Sequence, residues 1–171
     1  MSEVLLQWNA LDQKAAEAAV LPCCGSHEWT AALTAARPFA DEAELLLKSS
    51  EIWRALAEQA WQEAFDSHPR IGEQKAQGHA TPESLKSSAQ EQSVALSADE
   101  AAKLALRNAN KKYEERFGRI FIICASGRST SEILTELEQR MNNDAASEMV
   151  VAAEQQRQIT VLRLKRWLET D

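Results

Sequence analysis

Four groups of residues carry side chains from which a reaction centre could be built. The first is His68, in the stretch SHPRIGEQ at residues 67–74. Imidazole titrates near neutrality and suits proton transfer. Pro69 follows it, and a residue before proline is driven out of the α region. The preceding helix must therefore stop here, leaving the imidazole on a fixed, non-helical backbone. Such a ring either serves the carbonyls at the helix end or projects into a pocket. The second group is Ser88, Glu91 and Gln92, in SLKSSAQEQ at residues 84–92. Their spacing puts a hydroxyl, a carboxylate and an amide on one helix face, with Leu85 one turn earlier and Leu96 one turn beyond. That face is either solvated or the polar wall of a site. The third is Arg163, with Ile159 four residues before it and Trp167 four after. A guanidinium on an apolar stripe snorkels, pairs with a carboxylate or binds an anion. The fourth is FIICASGRS, residues 121–129. If this segment is extended outside any sheet, its backbone N–H and C=O groups need partners, which a polar planar ligand could supply. A short strand pairing is the alternative.

The elements that position these residues read as helices. Residues 11–20 predict a helix ending before Pro22. Ser26 caps a helix through HEWTAALTAA that stops before Pro38. Asp41 starts EAELLLKSS, and residues 51–65 form one helix with Ile52, Leu56, Ala60 and Ala64 on a stripe. That helix runs out at Ser67–His68. Thr81 is an N-cap with Pro82 in the first turn. Ser97 to Glu100 forms a capping box for a helix through about Phe117, and Gly118 stops it. RIFIICA is a short apolar run, best placed as an extended segment threading a helical core. Ser129 to Glu132 forms a second capping box for a helix to about Met141, and Asp144 caps the last helix. The expected fold is all-α. It is a single-domain bundle of about eight helices spanning 1–171, with one short extended segment near 119–125.

Composition supports this and removes several function classes. A chain of 171 residues suits one domain with a real core. Only 5 glycines and 4 prolines interrupt it, which favours long helical segments. A net charge of −7 with no basic block argues against nucleic-acid binding. No apolar stretch is long enough to span a bilayer. The start, MSEVLLQWNALDQ, lacks a secretory pattern, and the end, LETD, is not a peroxisomal address. The expected location is the cytoplasm. Cys23, Cys24 and Cys124 read as reduced thiols, and no spacing suggests zinc or another metal. Trp8, Trp29 and Trp61 belong either to the core or to an interface.

Taken in order, RPF at 37–39, SHPRIGE at 67–73, SAQEQ at 88–92, FGRIFIICASGRS at 117–129 and ITVLRLKRWL at 159–168 resemble the 2-oxo-4-hydroxy-4-carboxy-5-ureidoimidazoline (OHCU) decarboxylase family of urate degradation. The resemblance covers nearly the whole chain. It implies an all-helical enzyme, working without cofactor, that removes CO2 from OHCU to give (S)-allantoin. It implies a catalytic role for His68 and Glu91. It also implies substrate contacts from Pro69, Ser88, Gln92 and Arg163, and from the backbone of Phe121, Ile122, Ile123 and Ala125. Pro69 would fix the backbone of the histidine. A homodimer is implied as well. One departure is visible: after SAQEQ the family often has a small residue and glycine before leucine, whereas this chain reads Ser93, Val94, Ala95, Leu96. The competing reading from another class is a non-catalytic helical module whose acidic helices offer a groove to a partner peptide.

Overall fold

The computed structural model describes residues 2–71, 80–93 and 100–170. Nine helices and no strand are found among these residues: α1 (Glu3–Ala10), α2 (Gln13–Cys24), α3 (His27–Ala35), α4 (Glu42–Ala55), α5 (Glu58–Asp66), α6 (Pro82–Glu91), α7 (Glu100–Phe117), α8 (Thr130–Arg140) and α9 (Ala145–Leu168). The all-α expectation holds. Ser97, Leu96 and the 94–96 departure lie outside the described residues, as does most of the segment after Ile71.

Short-range chemistry sets most boundaries. The side chains of Ser26, Asp41, Thr81 and Ser129 accept hydrogen bonds from Trp29, Glu44, Ser84 and Glu132 N–H groups. Each satisfies a donor that the first helical turn leaves without an intrahelical partner. Glu132 returns the bond to the Ser129 N–H, completing the capping box. Gly118, at φ 68, closes α7 with a 2.8 Å bond from its N–H to the Glu114 carbonyl.

Two expectations are corrected and one helix is added. The first helix, α1, was not expected, although Ser2 caps it by accepting from the Leu5 N–H at 3.3 Å. The next helix does not end before Pro22 but runs through it to Cys24. Pro22 forfeits the bond its own N–H would have made and crowds the Ala18 carbonyl, yet the helix lasts two residues more, and Gly25, at φ 85, supplies the stop. The single helix over 51–65 is instead two, because the chain turns extended at Leu56. Ala, Leu and Glu give no local signal for that break. Tertiary contact stabilises it: the Trp61 indole N–H donates to the Trp53 carbonyl at 2.8 Å, and the two rings lie 6.0 Å apart.

The chain divides into two compact units. The first comprises Met1–Ala64 and Arg157–Asp171, with α1 on α2, α2 on α3 and α3 on α4. Its core is rich in indoles, with Trp8, Trp29 and Trp53 buried among Leu5, Leu33 and Leu45. Trp8 and Trp29 are therefore core residues, not interface. Trp8 stacks on Phe39 and meets Trp167 edge-on. The RPF stretch serves this unit. Arg37 donates to the Trp8 and Leu11 carbonyls at the end of α1, and Phe39 exchanges two hydrogen bonds with the Asn9 side chain.

The second unit is Phe65–Gln156. Here α7 packs on α8, and Leu106, Tyr113, Ile133 and Leu137 enclose Ile71, Phe121, Ile123 and Ala125. Residues 120–125 are in neither helix nor strand, as expected for RIFIICA, and only Cys124 among them is not fully buried.

Candidate active site

Helix α5 ends at Asp66, and the His68 N–H turns back to the Phe65 carbonyl at 3.0 Å. The imidazole is buried, 6% exposed, and its Nε2 lies 2.6 Å from Oε1 of Gln156 on α9. The ring is thus engaged 88 positions along the chain and is no mere ornament of its own helix end. The backbone beyond it is pinned. Arg70 makes a bidentate pair with Glu114 of α7, at 2.5 and 2.9 Å. Asn110 of α7 donates to the Ile71 carbonyl, and Ile71 enters the core. Pro69, itself buried, restricts the histidine's backbone between these anchors.

Ser88, Glu91 and Gln92 do share a face at the end of α6, and that face is not solvated. Ser84, Ser88, Glu91 and Gln92 are all buried, Glu91 at 5% exposure. Burying a carboxylate is costly unless it is partnered, and none of the four side chains stands without a partner.

The 120–125 segment is held by side chains from α8 and α9. Arg140 of α8 donates to the Ile122 carbonyl at 2.7 Å and lies over the Phe121 ring at 4.3 Å. Gln155 of α9 accepts from the Cys124 N–H at 2.9 Å. Arg140 is buried and is compensated by Glu148, fully buried, at 2.5 and 2.8 Å. Tyr113 donates to the same carboxylate oxygen at 2.5 Å, and Asn143 donates to the other at 2.9 Å. Burial, then the hydrogen bond to Glu148, push the Tyr113 phenol well above its ordinary value. Cys124's N–H is therefore already committed. Among the described residues, no acceptor lies in hydrogen-bond geometry with the backbone N–H groups of Phe121, Ile122, Ile123 or Ala125.

His68, Pro69, Ser88, Glu91, Gln92 and the 121–125 backbone thus all fall in the second unit. Arg163 falls in the first, 3% exposed, donating to the Pro22 carbonyl at 3.2 Å. Neither snorkelling nor ordinary solvation describes it. Beside it, the buried Cys24 thiol is pushed up to about 12, chiefly by desolvation. Sequence reasoning missed Arg140, Glu148, Gln155 and Gln156. The signal was present for three of them. Glu148, Ala152, Gln155, Gln156, Ile159 and Arg163 recur at three- and four-residue steps along α9, so the apolar stripe that exposed Arg163 carries polar residues further back.

A family model for OHCU decarboxylase matches residues 9–165. The chain belongs to the OHCU decarboxylase family. It is 35% identical over 146 residues to the uric acid degradation bifunctional protein TTL of Arabidopsis thaliana, covering 84% of this chain but 44% of that protein. It is 34% identical to the 2-oxo-4-hydroxy-4-carboxy-5-ureidoimidazoline decarboxylase of Amia calva, covering 79% of this chain and 77% of that one. A crystal structure of OHCU decarboxylase in the presence of (S)-allantoin superposes with a TM-score of 0.75 at 34% identity, over 88% of this chain and 96% of that one. No group of three or more His, Cys, Asp or Glu among the described residues could hold a metal ion. Among the described residues, no helix is long and apolar enough to cross a membrane.

Proposed function

We propose that this chain decarboxylates OHCU to (S)-allantoin in urate degradation, without a cofactor, using His68 to move protons. The reading is supported by family membership and by one structural observation above the rest. Within a single compact unit, a histidine, a carboxylate and an amide are withdrawn from water, and the same unit holds a buried backbone segment of which four N–H groups meet no acceptor among the described residues. A binding module has no need for so many desolvated polar groups, each of which costs stability.

The chemistry follows from the substrate. Its C4 carries both the carboxylate and the hydroxyl, and C5 carries the ureido group. When the C4–CO2 bond breaks, its electron pair forms a C4=C5 double bond and the C5=N π pair shifts onto that ring nitrogen, which takes up a proton, giving an enol. The 4-hydroxyl then loses its proton to become the carbonyl of allantoin, and a proton is delivered to one face of C5. His68 is assigned this proton traffic, which carries one net proton into the ring for each CO2 released. Negative charge developing on the ring is met by backbone N–H groups from Phe121, Ile122, Ile123 and Ala125, preorganised by Arg140 and Gln155. Glu91 accepts from substrate N–H or O–H groups and acts beside His68, while Ser88 and Gln92 read the ureido group. Pro69 holds the histidine's backbone and borders the substrate. The role of Arg163 as a further substrate contact rests on the sequence resemblance.

On the same footing, residues 1–171 act as one domain of a cytoplasmic homodimer, with light scattering of the purified chain as the check on its mass. The function itself is tested with freshly generated OHCU, which decays on its own to racemic allantoin. Adding the protein should accelerate the decay and give one enantiomer, followed by circular dichroism. An unchanged rate with a racemic product would favour the interaction-module reading instead.

A further inference from the structure

Two consecutive glutamines on α9 face two different pieces of the site. Gln155 accepts from the Cys124 N–H, while the Gln156 Oε1 lies 2.6 Å from His68 Nε2. Gln156 is 0% exposed and His68 6%, so bulk water does not compete for this contact. An amide oxygen has no proton to give. A ring nitrogen facing it at this distance must therefore carry the hydrogen. In a neutral imidazole only one nitrogen is protonated, so the basic lone pair is then at Nδ1.

We propose that Gln156 is a positioning residue that holds His68 as the Nε2–H tautomer, so that Nδ1 is the nitrogen that takes up and returns the proton. Gln156 acts through the histidine and need not touch substrate. Its neighbour Gln155 fixes the backbone segment against the same helix, so successive residues of α9 set the spacing between proton carrier and backbone donors. The first half of this inference, the tautomer, stands on the geometry alone. The second, the use of Nδ1 in turnover, rests on the decarboxylase reading.

The test is nitrogen-15 NMR of the histidine rings in the full-length protein, on the alkaline side of neutrality where the imidazole is uncharged. His68 is assigned by the signals missing from His68→Asn. With only three histidines in the chain the spectrum is simple. The expected result is an Nε2 with a directly bonded proton and an Nδ1 with a lone-pair signature. Gln156→Leu should let the other tautomer appear and lower kcat about tenfold, the effect of losing one buried hydrogen bond, with KM within about twofold. Gln156→Glu, which keeps an accepting oxygen, should retain the Nε2–H form. A wild-type ring protonated at Nδ1 would overturn the proposal, because the amide must then be donating to Nε2. So would an unchanged tautomer in Gln156→Leu. Should Gln156→Leu fail to fold, the wild-type and Gln156→Glu spectra still decide the matter. An Nε2–H ring in a protein that leaves OHCU untouched would sink the decarboxylase reading and not the positioning role. An Nδ1–H ring in an active enzyme would do the reverse.

Discussion

The two compact units bury polar groups to different ends. In the first, buried polarity is mostly hydroxyl, and at Ser26 and Thr30 it serves a helix terminus and a helix backbone. Ser26 caps α3, and Thr30 Oγ1 donates back to the Ser26 carbonyl. Its interior is filled by Trp8, Trp29 and Trp53; the Trp8 indole N–H donates to the Ala16 carbonyl and that of Trp29 to the Ser49 carbonyl. In the second unit, the buried set includes His68, Glu91, Arg140 and Glu148, all ionisable, together with Gln92, Gln155, Gln156 and Asn110. A hydroxyl satisfied by its own helix costs little to bury, whereas ionised groups cost several kcal/mol each before pairing repays it. A fold that needed only a core would use the first recipe throughout. On the proposed reading, the second unit's departure from it is where the molecule gives up stability to hold chemistry in place. Arg163 is the exception in the first unit, a buried cation outside the indole recipe.

Mutations can break that contrast. Trp29→Ala should lower stability by about 3–5 kcal/mol, read by chemical denaturation, while turnover per folded molecule stays near wild type. A large loss of turnover in the folded fraction would mean that the first unit's core does more than support. Glu148→Ala, an effect of similar size at about 3–5 kcal/mol, should differ in kind. It strands the Arg140 guanidinium and loosens the Ile122 carbonyl, so stability and kcat should fall together. Unaltered kcat in that variant would separate the network from the site. Glu91→Ala should leave the thermal midpoint within a few degrees and weaken kcat/KM by about 1.5–3 kcal/mol, the scale of a hydrogen bond to a charged group. Lost stability with wild-type kinetics would make Glu91 structural.

A last contrast distinguishes the units by alkaline pH. The Cys24 thiol is raised from 9.0 to about 12 by burial in the first unit. The Tyr113 phenol is raised from 10.0 in the second, by burial and then by Glu148. In both, the folded state keeps a proton that the unfolded chain releases. Their contribution is complete below the unfolded values and is lost as pH climbs. Stability should drain from pH 9 towards about 12 on account of Cys24, and from pH 10 upward on account of Tyr113. Cys24→Ala should flatten the first part of that decline in thermal melts and Tyr113→Phe the second. Unchanged slopes would mean that neither group is desolvated as described.

What was legible in the sequence was what depends on near neighbours. The caps at Ser26, Asp41, Thr81 and Ser129, the stop at Gly118 and the turn at His68–Pro69 each depend on three or four consecutive residues. The helix break at Leu56 was not legible, because it is stabilised by Trp61 reaching back to Trp53 across a stretch of good helix formers. The polar face of α6 was legible as a pattern but not as a buried one, since burial depends on what packs over it. Arg140 was missed for the same reason. It looks like a last-turn charge until its partners, 8 and 18 positions away, are in view. The RIFIICA segment shows the reverse. Its composition gave away a buried, unhelical run, but the side chains that hold its backbone come from two helices further on.

The central claim is that the buried His68 carries the proton transfer of an OHCU decarboxylase. The most direct measurement is the initial rate of (S)-allantoin formation from fresh OHCU by the wild-type chain and by His68→Ala, with far-ultraviolet circular dichroism and thermal melts on both. A properly folded His68→Ala chain should lose at least about a hundredfold in turnover, the lower scale for a general acid–base group. A folded variant that still makes (S)-allantoin at the wild-type rate would contradict the account.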